Sequence, residues 1–164
     1  MRTWTGECVR VDQRFQELYR AEFRAVYRAV VLACGDLAVA EDATQEAFAR
    51  ALERWGRLQD RPWVAGWVAT TAMNVARRSL RRRPDSDPEA MVAASDPDSA
   101  EDVWAAVRDL PRRQRESVVL HYAMDLPVSE VARLMRCAEG TVKAHLSKAR
   151  TALRGRLEGV RDEG

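Results

Sequence analysis

Cysteine and histidine are scarce in this chain of 164 residues. Cys8, Cys34 and Cys137 are odd in number and far apart, and with His121 and His145 they match no zinc spacing. They read as reduced thiols, with Cys8 the one to test for reactivity, and neither a metal site nor a disulfide framework is expected. A Gly-rich phosphate loop is missing, and so is any Ser/His/Asp or Cys/His constellation. Carboxylates are plentiful, but none sits in an apolar pocket pattern. The chain therefore does not read as an enzyme, and it calls for no cofactor. Long hydrophobic runs are missing too. Residues 29–34 are too short an apolar run to span a membrane, and residues 1–11 lack the apolar stretch of a signal peptide. The expectation is a cytoplasmic protein with no membrane insertion. No segment sustains the alternation of a strand and there are no internal repeats, which leaves an all-α class.

What is present is an uneven distribution of charge. The net charge is only +2, but Arg77, Arg78, Arg81, Arg82 and Arg83 crowd one segment. Lys143, Lys148, Arg150, Arg154 and Arg156 form a second basic group. Between them, residues 84–102 hold Asp85, Asp87, Glu89, Asp96, Asp98, Glu101 and Asp102 and no lysine or arginine. Two basic blocks split by an acidic strip suggest two nucleic-acid-facing modules on a tether.

Apolar spacing supplies the elements. Phe15, Leu18, Tyr19, Phe23, Val26, Tyr27, Val30 and Val31 recur at helical intervals until Gly35-Asp36 interrupts them. A second helix is predicted from about Val39 to Trp55, with Ala43, Ala47, Phe48, Ala51 and Leu52 inward. Residues 56–62 read as a loop and about 63–82 as a third helix. Residues 84–99 carry prolines, aspartates and serines and read as a linker. Helices resume near 100–109, 111–123, 128–135 and 139–157, and Pro111 and Pro127 suit helix starts.

The last two of these helices carry the strongest pattern. Val128, Val131, Ala132, Leu134 and Met135 share one face of the first. Val142, Leu146, Ala149 and Leu153 share one face of the second. The polar face of the second holds Lys143, His145, Lys148 and Arg150. An apolar seam locking two helices across a tight turn, with a cationic face for a major groove, is how a helix-turn-helix is written. DNA is the leading partner.

With these segments in hand, residues 15–157 resemble the extracytoplasmic-function, or group 4, sigma factors of bacterial RNA polymerase, in the sigma-70 family. Glu41-Asp42-Ala43-Thr44-Gln45-Glu46-Ala47-Phe48 resembles the polymerase-binding part of sigma region 2. Trp67-Val68-Ala69-Thr70-Thr71-Ala72-Met73-Asn74-Val75-Ala76, followed by the arginine run, resembles the helix that engages the −10 element. Leu110-Pro111-Arg112-Arg113-Gln114-Arg115-Glu116 and the helix-turn-helix resemble region 4, which reads the −35 element. The resemblance implies two small helical domains joined by a flexible acidic linker. Residues 1–11 would be a disordered tail, 12–83 region 2, 84–99 the linker and 100–160 region 4.

It also implies roles. Asp42, Gln45, Glu46 and Phe48 would bind core polymerase, docking on the clamp helices of the β′ subunit, while region 4 would meet the β flap. Gln59, Asp60 and Arg61 in the loop, with Trp67 and Asn74, would capture a flipped −10 base. Arg77, Arg78 and Arg81 would bind phosphates, which sets register rather than sequence. Thr141, Lys143, Ala144, Ser147 and Lys148 would face −35 bases or the nearest phosphates, with Arg150 and His121 beside the backbone. Lysine donates to guanine edges, and Ala144 suits a thymine methyl. The acidic strip would thread the RNA exit path, imitating the charge of RNA. Promoter DNA and an anti-sigma factor are further implied partners. Three positions depart from the family. Arg78 stands where aspartate is frequent, which alters local pairing on the −10 helix. Arg136 stands where glycine is frequent and Ala138 where serine is, so the turn is expected to be less stable than the family norm.

A competing reading is a helix-turn-helix regulator of the response-regulator output type, which Gly140-Thr141-Val142-Lys143-Ala144-His145-Leu146 fits almost as well. Such a regulator would carry an α/β domain in its first half, and residues 15–83 show no strand runs.

Overall fold

The computed structural model describes residues 12–82 and 100–161, and these are helical with no β-sheet among them. The expected tail (1–11) and linker (84–99) lie outside the described residues.

Helix α1 (Gln13–Cys34) starts where the Asp12 carboxylate accepts the Arg14 N–H at 2.8 Å. It stops at Gly35, whose left-handed φ of 76° lets its N–H turn back to the Val31 carbonyl at 2.7 Å. One residue on, Asp36 caps α2 (Leu37–Glu53) by accepting the Val39 N–H at 2.8 Å. A single helical turn, α3 (Trp55–Leu58), occupies part of the stretch expected to be loop. The reason is burial, since Trp55 and Leu58 both point into the core, 8% and 6% exposed. Helix α4 (Val64–Arg82) closes the first unit.

Helices α1, α2 and α4 pack against one another in this unit. Ala29, Ala40, Ala43, Ala47, Ala69 and Ala72 are buried where they meet, and small side chains there allow close approach of the backbones. Phe48 anchors the wider end, with ring centroids 6.4 Å from Phe15, 4.9 Å from Tyr19 and 5.8 Å from Phe23.

The second unit holds α5 (Ala100–Arg108), α6 (Arg112–Val118), α7 (Val128–Met135) and α8 (Glu139–Arg161). Pro111 and Pro127 stand immediately before α6 and α7, as their fixed φ favours. The predicted helix over 111–123 is interrupted, because α6 continues as a π-helical turn (Val119–Ala123). Leu120 is fully buried there, and the chain turns down through Asp125, a non-glycine residue at φ 52°. Val131, Met135, Val142, Leu146 and Ala149 form the seam between α7 and α8, each at most 4% exposed.

The units touch. Helix α5 and the π-helical turn lie on α1, and α7 lies on α4. Arg115 of α6 donates to the Ala33 carbonyl at 3.1 Å, satisfying one of the free carbonyls at the C-terminal end of α1. Gly66 admits the helix-turn-helix to α4, for a Cβ there would lie 2.6 Å from Leu134 Cδ1 and 2.8 Å from Leu126 Cδ1. None of the helices is long and apolar enough to cross a membrane, among the described residues.

Candidate nucleic-acid interface

The outer face of α8 follows from its inner one. Burying Val142, Leu146 and Ala149 leaves Thr141, Lys143, Ala144, Ser147, Lys148 and Arg150 exposed. The lysines have no ion-pair partner among the described residues, so they present free charge. Arg150 donates to the Leu146 carbonyl of its own helix at 3.3 Å. The turn before α8 holds Arg136 in the left-handed region, φ 54° and ψ 50°. Ala138 precedes α8, its carbonyl accepting from Thr141 and Val142, while its methyl offers no cap. Half-buried His121 sits at the base of the motif, with Nδ1 2.8 Å from the Leu126 carbonyl. A carbonyl only accepts, so Nδ1 carries the proton and Nε2 is left for a partner.

A second basic surface runs along α4 and the loop before it. Trp67 and Asn74 are half-buried on the helix, and Arg78 and Arg81 are exposed beyond them. The Arg54 guanidinium lies over the Trp67 ring at 5.7 Å, and Arg61 lies over Trp63 at 6.0 Å. Arg77 donates to the Asn74 amide oxygen at 3.4 Å, which leaves the amide NH₂ without a partner among the described residues. The Arg77 Nε is buried without a partner. Burial, and then the nearby charges of Arg112 and Arg81, push its proton affinity down. The loop residues Gln59 and Asp60 are tied to the start of α1, since Arg14 donates to the Gln59 amide and carbonyl oxygens at 3.3 and 3.2 Å and to the Asp60 carboxylate at 3.2 Å.

The third surface is acidic. Asp42, Gln45 and Glu46 are exposed on α2, beside Glu41 and Glu53. Gln45 reaches back to Glu41 at 3.5 Å, and Glu46 pairs with Arg50. Leu52, expected to point inward, is instead 37% exposed: Ala47, Phe48 and Ala51 take the buried side of α2, and Leu52 falls at its edge and adds apolar area to the acidic face. Phe48 corrects an expectation. At 2% exposure it is part of the aromatic core, so it holds α2 in place and offers no surface to a partner. Cys34 and Cys137 are free thiols, and the described residues hold no cluster that could bind a metal ion.

Comparison with known proteins assigns these surfaces to a family. The sigma-70 region 2 family matches residues 18–84, and the sigma-70 region 4 family matches residues 100–153. The ECF RNA polymerase sigma factor EcfG of Rhodopseudomonas palustris is 31% identical over 137 residues, covering 76% of this chain and 76% of that protein. The chain belongs to the extracytoplasmic-function sigma factors. BldN of Streptomyces coelicolor, also an ECF RNA polymerase sigma factor, is 35% identical over 145 residues, 79% of this chain and 54% of BldN. A probable sigma factor of Xanthomonas campestris, RfaY, is 32% identical over 139 residues, 74% of this chain. The chain spans 35% of the length of RfaY and about half that of BldN. Two solved structures share the fold. RpoE of Bartonella quintana, in complex with the anti-sigma factor NepR, has a TM-score of 0.72 and 21% identity, covering 90% of this chain and 98% of that one. CnrH, in complex with the cytosolic domain of CnrY, has a TM-score of 0.71 and 21% identity, covering 90% of both.

In this sigma factor the first unit is region 2 and the second is region 4. The output-regulator reading falls, because residues 18–84 match region 2 and the described part of that stretch contains no strand. Sequence reasoning missed two groups on region 2. Leu52 and Glu53 continue the exposed α2 face one to two turns beyond Gln45 and Glu46, a spacing the sequence displays. Arg14 gave no such signal, since its bonds to Gln59 and Asp60 join segments far apart in the chain.

Proposed function

We propose that this sigma factor binds core RNA polymerase, recognises −35 and −10 promoter elements and directs transcription initiation in the cytoplasm, without catalysing a reaction itself. The observation that carries this reading is one chain presenting three separate faces. These are the acidic side of α2, the tryptophan and arginine groove of α4, and the free lysines of α8. A regulator that bound only duplex DNA would need just the last.

Each face has a role. Asp42, Gln45 and Glu46, widened by Leu52, would meet the β′ clamp helices through charge pairing and hydrogen bonds. Region 4 would contact the β flap. Gln59, Asp60, Arg61, Trp67 and Asn74 would hold an unstacked −10 base, with Arg77, Arg78 and Arg81 on the phosphates. Of the arginines, Arg78 and Arg81 are exposed, while Arg77 is half-buried and donates to Asn74. Thr141, Lys143, Ala144, Ser147 and Lys148 would read the −35 duplex, with Arg150 and the His121 Nε2 near the backbone. Residues 12–83 and 100–160 would act as the two promoter-binding domains. An anti-sigma factor is a further partner of this reading, supported by two structures of like fold that hold one or a CnrY domain.

The test is run-off transcription with sigma-free core polymerase and a pool of promoters from the source organism. Transcripts dependent on this protein, sharing −35 and −10 sequences, are expected. Replacing Lys143 and Lys148 by alanine is expected to weaken promoter binding and flatten its salt dependence, by a slope of about 1 per lost phosphate contact. Duplex binding without any core-dependent transcript would instead make the protein a DNA-binding regulator.

A further inference from the structure

Regions 2 and 4 meet around a cleft of about 670 Å³ whose charge is one-sided. Seven arginines and a single carboxylate, Glu116, line it. Glu116 is already engaged, by Arg112 at 2.8 Å and Arg113 at 3.6 Å, and Arg50 pairs with Glu46 outside the cleft. That leaves Arg54 and Arg78 of region 2 and Arg133 and Arg136 of region 4. All four are exposed and have no carboxylate partner among the described residues. Like charges facing one another across an interface oppose its closure. The excess continues beside the cleft, where half-buried Arg77 sits near Arg112, Arg81 and Glu116 and its buried Nε has no hydrogen-bond partner among the described residues. A multivalent anion in the cleft would turn this repulsion into attraction, and planar guanidinium forks match phosphate oxygens two at a time.

The rest of the lining is not phosphate chemistry. Trp63 and Trp67 supply indole rings, and Asn74 a half-free amide. An indole stacks on any nucleobase, and an amide pairs with a base edge. We propose that the cleft binds a nucleoside polyphosphate, its base against Trp67 and Asn74 and its phosphates between the arginines of the two regions. So placed, it holds regions 2 and 4 together. It also occupies Trp67, Asn74 and Arg78, so it excludes a −10 strand. That regulatory consequence rests on the function proposed above, whereas the binding does not.

The experiment uses the full chain alone, without polymerase or DNA. GTP is titrated at physiological salt with tryptophan fluorescence as the readout, and inorganic tripolyphosphate is titrated in parallel. Saturable one-to-one quenching by GTP is expected, with tripolyphosphate at least about tenfold weaker for want of stacking. Arg133→Glu with Arg136→Glu should weaken GTP at least about tenfold with unchanged circular dichroism. Arg54→Gln, on the other side of the cleft, should weaken it in the same direction should that pair fail to fold. Absence of saturation at millimolar GTP, or unchanged affinity in the folded variants, overturns the proposal. Equal affinity for tripolyphosphate overturns the nucleotide assignment. Core-dependent transcription without GTP binding defeats this proposal alone, and GTP binding without transcription defeats only the initiation reading.

Discussion

Region 2 and region 4 are built from the same element by different means. Region 2 uses three long helices of 22, 17 and 19 residues, meeting through alanines and sealed by aromatic rings. Region 4 uses helices of 9, 7 and 8 residues before α8, joined through a π-helical turn and two left-handed non-glycine residues, Asp125 and Arg136. Short helices bury little by themselves. Region 4 makes up part of the difference by resting α5 and the π-helical turn on α1. Region 2 is therefore the self-sufficient half, and region 4 leans on it. Under the proposed function the same economy would serve DNA reading, since a short α7 and a tight turn are what would set α8 at a groove.

The largest test of this contrast is Phe48→Ala. Phe48 touches three other rings and is 2% exposed, so truncation leaves a cavity. The expected cost is about 3–5 kcal/mol. Region 4 should melt together with region 2 in this variant, as read by thermal circular dichroism. A region 4 that stays folded after region 2 is lost would break the comparison.

A smaller effect is expected at the contact between the halves. Arg115→Ala removes the donor to Ala33 at 3.1 Å and to Leu110 at 3.4 Å. A hydrogen bond from a charged group is worth about 1.5–3 kcal/mol. Region 4 should lose most of it, seen as faster hydrogen exchange in α6 and the π-helical turn while α2 and α4 stay protected. Equal deprotection of both halves would show that the contact supports region 2 as much as region 4.

The turn of region 4 offers a gain instead. Arg136 is left-handed at φ 54°, a conformation glycine takes without steric cost, and Ala138 precedes α8 without a capping oxygen. Arg136→Gly with Ala138→Ser should stabilise by about 1–2 kcal/mol, raising the melting temperature. A fall would mean that the Arg136 side chain contributes more than its backbone strain costs.

Much of this architecture was readable in the sequence, and the reason is local. The helical period of Phe15 through Val31, the stop at Gly35, the starts at Pro111 and Pro127 and the seam from Val128 to Leu153 all lie within a few turns of chain. Their helices emerge within a few residues of the expected bounds, apart from the π-helical break at Val119. The α8 face was readable for the same reason, because burying Val142, Leu146 and Ala149 dictates which residues point outward. Phe48 was placed both inward by spacing and outward by resemblance, and burial decided it. What the sequence hid is tertiary. Arg14 on Gln59, Arg115 on Ala33 and Gly66 under Leu134 join distant segments, and no periodicity announces such pairs. The α3 turn escaped because Gly56 reads as a breaker, while the burial of Trp55 and Leu58 outweighs it.

The smallest expected effect concerns Cys34, which sits at the end of α1 where region 4 rests. Burial pushes its thiol up, and its Sγ lies 3.5 Å from the Asp36 carbonyl. A thiol whose folded affinity for its proton exceeds the unfolded one contributes stability while it stays protonated. That contribution is complete below the unfolded value of about 8.5 and is lost as pH rises through the folded value. Denaturant unfolding at neutral pH and again above about pH 9 should show the wild type losing more stability than Cys34→Ala over the same interval. Comparing the two pH slopes cancels the packing change that the substitution makes. The remaining cysteines, Cys8 and Cys137, are present in both proteins and also cancel. Parallel slopes would mean that Cys34 meets solvent as readily folded as unfolded, so region 4 does not cover the end of α1 in solution. The dependence of region 4 on region 2 would then rest on the packing of α7 against α4, where Leu126 and Leu134 lie over Gly66.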